Sequence, residues 1–226
     1  KSPKSMLGKL MNECSPKMFH ICSIIESSPG PVVVYSHYKR MEGLEILKIY
    51  LKMFGYMPFA KMDKKRQYTE IHGDVDQEIR EKNRKLFNED KNLRGEYIKI
   101  MLLSQAATEG ISLMNVRQVH IMEPYWQEVR MTQVIGRTIR DCSHKLLNRE
   151  ERHVDVFRYK TIIPNKTSMD QLIFDVAVKK DNINAQFLSA IQEIAVDCAL
   201  NHKTNNTGKC FSFDLKSQLE NAGPAF

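Results

Sequence analysis

The sequence has no run of about 18 apolar residues, so it offers no candidate membrane-spanning helix. No signal peptide opens it, and the sequons at Asn165 and Asn205 therefore carry no expected glycan. Cysteines are few: Cys14, Cys22, Cys142, Cys198 and Cys210 include no CxxC, and an odd count argues against a complete disulfide framework. Reduced thiols in a cytosolic or nuclear compartment are the simpler expectation. Cys142 and His144 lie close together but lack the second ligand pair that a zinc site needs. No internal repeat is present. Nor does the chain begin with methionine; it opens on Lys1, as expected of a piece of something longer.

What is there is an ordinary globular composition, 42% hydrophobic and 27% charged over 226 residues. That length builds one or two domains with a substantial core. The formal net charge is +7. The balance favours a polyanionic partner such as nucleic acid, although many basic proteins bind none.

Strand and helix patterns alternate. Lys17 to Ser27 read as a short helix, stopped by "SSPGP". "VVVY", Val32 to Tyr35, is a β-branched run typical of a strand buried on both faces. Leu44, Leu47, Leu51 and Phe54 then fall on one helical stripe, with Gly55 at the C-terminal cap. "TEIHG" marks a strand end, and "DQEIREKNRKLF" a helix with Ile79, Leu86 and Phe87 inward. "YIKIMLL", "QVHIM" and "HVDVFRY" are further strands. "EVRMTQVIGRTIR" reads as a helix, which puts Arg137 and Arg140 on one face. This alternation predicts an α/β fold, a parallel sheet with helices on both faces. Ser168 and Gln171 form a capping-box pattern for the next helix. A second tail helix is expected from Ile183 to about Leu200, with Ile183, Phe187, Ile191, Ile194 and Cys198 on one stripe. The expected division is a helical lead-in over 1–30, an α/β domain over 31–162 and a helical extension over 163–226.

Open parallel sheets bind ligands at the carboxyl ends of their strands. Ser36 and His37 follow the first strong strand, "SQAATEGIS" follows "YIKIMLL", and "EPYWQ" follows "QVHIM". Small, hydroxylic and glycine residues there suit a phosphate site. Singly, each has a plainer reading: Ser36 could cap a helix, Gly110 could turn, and Trp126 could be core. Two arginines at helical spacing could equally be a solvated face, or a pair of guanidinium forks for phosphate oxygens.

Their order is more specific. "VVVYSHY", "SQAATEGIS" and "QVIGRTIR" resemble motifs IV, V and VI of the second RecA-like domain of superfamily-two helicases and translocases. "IHGDVDQEIREKNRKLFN" resembles the stretch between IV and V, where an HG pair precedes a helix ending in Phe-Asn. The resemblance covers Pro31 to Tyr159. The "EGIS" and "GRTIRDCSH" segments look most like the nucleoside triphosphatases and early transcription factor subunits of large cytoplasmic DNA viruses.

The resemblance implies a RecA-like fold and half of a split ATPase. Arg137 and Arg140 would act on the γ-phosphate of ATP, one as an arginine finger, with Gln133 positioning phosphate or water. Gly110 and Glu109 would lie at the nucleotide. Ser36, His37 and Ser104 would contact a nucleic-acid backbone. The sequence departs from a whole enzyme in having no G-x-x-x-x-G-K-[ST] and no DEAD- or DExH-like box. ATP and Mg2+ would therefore be held mainly by a first RecA-like domain of the same polypeptide. The implied partners are that domain, DNA or RNA, and transcription machinery. The implied location is cytoplasmic, in a viral factory or virion, without a membrane. A non-catalytic binding module of the same fold stays open as the alternative. A dinucleotide-binding domain is disfavoured, since "YSHYKRMEG" has no Gly-rich turn.

Overall fold

The computed structural model describes residues 6–41, 43–62, 65–105, 111–201, 204 and 210. The chain forms two compact units, residues 1–177 and 178–226.

The first unit is built on a six-stranded parallel sheet of order β2-β3-β4-β1-β5-β6. The strands are β1 (Val32–Tyr35), β2 (Met57–Pro58), β3 (Gln67–Ile71), β4 (Ile98–Leu103), β5 (Gln118–Ile121) and β6 (Asp155–Arg158). β1 sits between β4 and β5, and all four of its side chains are fully buried. Val32 and Val34 join one core with Ile100 and Leu102; Val33 and Tyr35 join the other with Met101 and Val119. The period-two alternation of a strand thus feeds two hydrophobic layers. Helices α2 (Pro16–Glu26) and α3 (Leu44–Met53) cover the first layer. Helices α4 (Gln77–Phe87) and α5 (Glu128–Gly136) cover the second through Phe87, Met131 and Val134. The α/β fold expected from the sequence is the one adopted.

Local signals set the helix ends. Ser15 caps α2, its hydroxyl accepting from the Met18 amide at 3.4 Å, with Pro16 opening the helix. α3 buries Leu44, Leu47 and Leu51 and is followed by Gly55 at φ +87°, a left-handed conformation that suits glycine. The lead-in region carries a further helix, α1 (Met6–Cys14), ahead of α2.

Other expectations fail. Ile79 does not face the core: it is 49% exposed, and α4 packs through Phe87 at its end. Trp126 is not core either, at 45% exposed. The long helix α6 (Met169–Ile194) is continuous through Ile183, where a second helix was expected to begin. Ser168 starts it, accepting from the Gln171 amide at 3.1 Å, but the Gln171 side chain turns forward to Asp175 and leaves the capping box half made. A short helix α7 (Val196–Leu200) follows.

In the second unit, the stripe of Ile183, Phe187, Ile191 and Ile194 is exposed. Cys198 and Cys210 form a disulfide, which overturns the expectation that all five thiols are reduced. They lie twelve residues apart, a separation that no short-range motif reveals. Cys14, Cys22 and Cys142 are free.

His120 on β5 is fully buried, stacked against Phe157 and Tyr159. Its Nδ1 is 2.8 Å from the Tyr159 hydroxyl, and its Nε2 is 3.3 Å from Gln118 Oε1. This pattern fits a neutral ring, and burial pulls its pKa down to about 3. The unfolded chain takes up this proton below about pH 6.5. Its stabilising contribution is therefore complete above that pH and is lost as pH falls toward 3. Between pH 7 and 5 this group alone should cost about 2 kcal/mol of stability. Urea denaturation at the two pH values checks this, and His120→Gln should flatten the pH dependence.

Candidate functional site

Parallel pairing brings the strand ends to one edge. Tyr35, the last residue of β1, is in register with Leu103 of β4 and Ile121 of β5. The residues that follow, Ser36, Ser104 and Met122-Glu123, therefore emerge side by side. Ser36 is fully buried and Ser104 nearly so. The Ser36 hydroxyl lies 2.8 Å from Glu123 Oε1 and 2.9 Å from the Tyr38 carbonyl oxygen. It also accepts from the Tyr38 amide at 3.1 Å. The His37 amide donates to the same Glu123 oxygen. Burial raises the Glu123 pKa, while the donors around it oppose the shift.

His37 is half-buried. Its ring stacks on Tyr125 at 3.9 Å between centroids, and its Nδ1 is 3.2 Å from the Tyr35 hydroxyl. Burial, with Arg130 nearby, lowers its pKa to about 4. It is therefore neutral at pH 7 and adds no charge to this edge. Its Nε2 is buried without a hydrogen-bond partner. Arg130 lies over the other partner in this stack, 5.1 Å from the Tyr125 centroid.

Gln133 lies on α5, Arg137 caps its C-terminal end, and Arg140 lies in the turn beyond. The helix was expected to run through Arg140, but it ends at Gly136 with Arg137 as its C-cap. Thr138 contributes to the break, its hydroxyl donating to the Ile135 carbonyl at 2.7 Å. The Leu113 amide takes the Arg137 carbonyl at 3.0 Å. Gln133 and Arg137, four apart, still share a face. Arg140 instead arrives through the turn, and its guanidinium donates to Ser112 Oγ. Neither arginine has a carboxylate partner among the described residues, whereas Arg66, Arg84, Arg94 and Arg158 all do.

This turn is tied to the strand after "SQAATEGIS". The Asn115 amide donates to the Ser143 carbonyl at 3.0 Å, and His144 Nε2 lies 2.7 Å from the Val116 carbonyl oxygen. Asn88, just after α4, donates to the Ser112 carbonyl and accepts from the Met114 amide, both at 2.9 Å. Glu109 and Gly110, expected at the nucleotide, lie outside the described residues.

A family model, the helicase conserved C-terminal domain, matches residues 16–142, more than half of the chain. The chain belongs to this family. Its relatives include viral proteins. It is 42% identical to a protein of Acanthamoeba polyphaga mimivirus named as an ATP-dependent RNA helicase, over 99% of this chain and 29% of the relative. It is 28% identical to a termination factor NPH-I homolog of African swine fever virus, over 83% of this chain and 33% of that protein. Nucleoside triphosphatase I of Melanoplus sanguinipes entomopoxvirus is 34% identical over 81% of this chain and 27% of its own length. The chain thus spans about a third or less of these relatives. Among solved structures, the C-terminal part of the Fun30 ATPase domain superposes with a TM-score of 0.55. That similarity, at 20% identity over 71% of this chain and 45% of the other, shows the shared RecA-like fold.

Within this helicase C-terminal domain, sequence reasoning missed Glu123, Asn88 and Ser112. Glu123 stood directly after a strand, where its place at the carboxyl edge was the available signal. Asn88 closed the Phe-Asn helix end without a role. Ser112 gave no signal of its own. Removing Glu123 takes the acceptor from the His37 amide, while the Ser36 hydroxyl keeps only the Tyr38 carbonyl. Glu123→Ala should therefore cost about 1–3 kcal/mol in urea denaturation. Glu123→Gln should cost less, because its amide oxygen still accepts.

Proposed function

We propose that this domain is the second half of an ATP-dependent nucleic-acid helicase or translocase, working in viral transcription. The observation that carries the reading is the pair of guanidinium groups on Arg137 and Arg140. Both are held by the turn after α5, and neither is neutralised by a carboxylate among the described residues. Planar, unpaired forks fit the oxygens of a transferring phosphoryl group.

On this reading ATP binds to a first RecA-like domain and is the substrate. Mg2+, held there, would neutralise phosphate charge. Arg137 and Arg140 supply positive charge where negative charge develops, one of them as the arginine finger. Gln133, on the same face as Arg137, orients phosphate or water. The motif resemblance alone assigns Glu109 and Gly110 to the nucleotide. The Asn88 and Ser112 contacts keep the turn in place before the cleft closes, which limits the reorganisation needed during reaction.

Nucleic acid runs along the strand edge. Ser36 acts by fixing its loop, since its hydroxyl is buried and engaged. His37 belongs to the same loop, and Ser104 flanks it. Binding of this kind reads backbone rather than sequence and weakens steeply with salt. Cycles of closure and opening between the two RecA-like domains would move the strand.

In the full-length protein, Arg137→Ala or Arg140→Ala should cut ATP turnover by about 10³-fold or more. Melting temperature and oligonucleotide affinity should barely change, because Arg140 is exposed, Arg137 is half-buried, and neither has an ion-pair partner among the described residues. Lysine at either position should rescue poorly, lacking the fork. Wild-type turnover in both alanine variants would leave the domain as a binding module of the same fold.

The isolated 226-residue chain should show no ATP hydrolysis with or without nucleic acid, a phosphate-release assay being sufficient. Turnover lost on Arg140→Ala in the isolated chain would refute the split site.

A further inference from the structure

Beside the Ser36–Glu123 clamp, the carboxyl ends of β5 and β6 enclose a cavity of about 140 Å³. Its wall includes the rings of Tyr125, Tyr159 and Phe174, with Glu123 also on the lining. Cavities of comparable size, about 150 Å³, hold one benzene-sized ring. Arg158 and Lys160, both exposed, stand where the lining meets solvent. Arg158 is paired with Glu128. Lys160 Nζ sits 4.6 Å from the Phe174 centroid and 3.0 Å from Gln171 Oε1. It has no carboxylate partner among the described residues. None of the residues assigned above to hydrolysis lines this space.

We infer that the cavity is a nucleotide subsite, taking one unstacked base among the aromatic rings with its phosphate on Lys160. Three features agree. The volume admits a planar ring but not a folded peptide segment. The wall offers aromatic rings, of which Tyr125 is already stacked by His37 and covered by Arg130, together with a carboxyl group that can meet the polar edge of a base. The cation at the mouth contacts only neutral groups, Gln171 and the Phe174 ring, among the described residues. Stacking between bases and aromatic side chains tolerates any sequence, because every base has a π face. A subsite of this kind would grip a strand between steps without reading it. The nucleotide could be a unit of the strand or a free nucleotide, and the chemistry of the pocket is shared.

The inference rests on the reading of this edge as a nucleic-acid track, and the two can be tested apart. The full-length protein is titrated with a single-stranded oligonucleotide, with the same length of abasic strand, and with adenosine monophosphate. Abasic binding reports the backbone track; the preference for the intact strand reports the pocket. Wild type should prefer the intact strand about tenfold. Ala177→Phe, which fills the cavity from α6, should reduce that preference to within twofold and leave abasic affinity unchanged. If free nucleotide is the occupant, monophosphate binding is lost in Ala177→Phe while neither strand affinity moves. Should Ala177→Phe fail to fold, the exposed Lys160→Ala decides. It must weaken the intact strand or the monophosphate at least threefold. Equal wild-type affinity for intact and abasic strands, with no monophosphate binding, overturns the pocket and leaves the track standing. Loss of all strand binding overturns the track, and the monophosphate arm then decides the pocket alone.

Discussion

A strand with neighbours on both edges and helices on both faces can bury a polar side chain only where a partner satisfies it. β1 obeys that constraint completely, and much of the molecule follows from it. Its four apolar residues set the register of β4 and β5, so the first polar residues after each strand emerge at one level. Function collects where the apolar requirement stops. Ser36 and Glu123 belong to different strand ends and are distant in sequence, yet they are joined because the register leaves them adjacent.

The same logic explains what could be read in advance. β1 and β4 were legible because burial favours apolar runs, interrupted in β4 only at Lys99, whereas β5 alternates Val119 and Ile121 with Gln118 and His120. β2 was not legible: its two residues, Met57 and Pro58, are exposed at an edge, where no pattern is imposed. Ile79 kept helical spacing but points outward, since α4 is held mainly from its end. Periodicity marks which residues share a face and says nothing about whether a partner covers it. The exposed stripe of α6 carries the same lesson, and so does the Cys198–Cys210 bond, which depends on the path of the chain.

The arginine turn was legible as a motif and misread as a helix. Gly136 and Thr138 are poor helix residues, but propensity alone does not end a helix after nine residues. The stop is tertiary. The Leu113 amide takes the Arg137 carbonyl, and Ser143 takes the amide of Asn115. Those partners come from the segment after β4, which Asn88 holds in turn. Three stretches distant in sequence must therefore be in place before Arg140 has a position. A straight helix would have carried Arg140 on from Arg137 by geometry alone. The turn instead makes its position depend on the segment following "SQAATEGIS", so a shift in that segment moves the guanidinium with it.

Glu123 shows how a costly group becomes useful. A carboxyl group buried this far loses hydration that is worth several kcal/mol, and only close donors offset the loss. The Ser36 hydroxyl and the His37 amide supply them, at the price of fixing the loop that carries both. Desolvation and donors act on its protonation in opposite directions, and desolvation prevails. Protonation here would weaken the very contacts that hold the loop, because a neutral acid is a poorer acceptor. The neutral His37 ring, stacked on Tyr125 beneath Arg130, then extends the fixed surface outward through aromatic contacts. Rigidity at the strand edge therefore comes from one buried carboxyl group, and the half-buried rings beside it inherit their placement from that group.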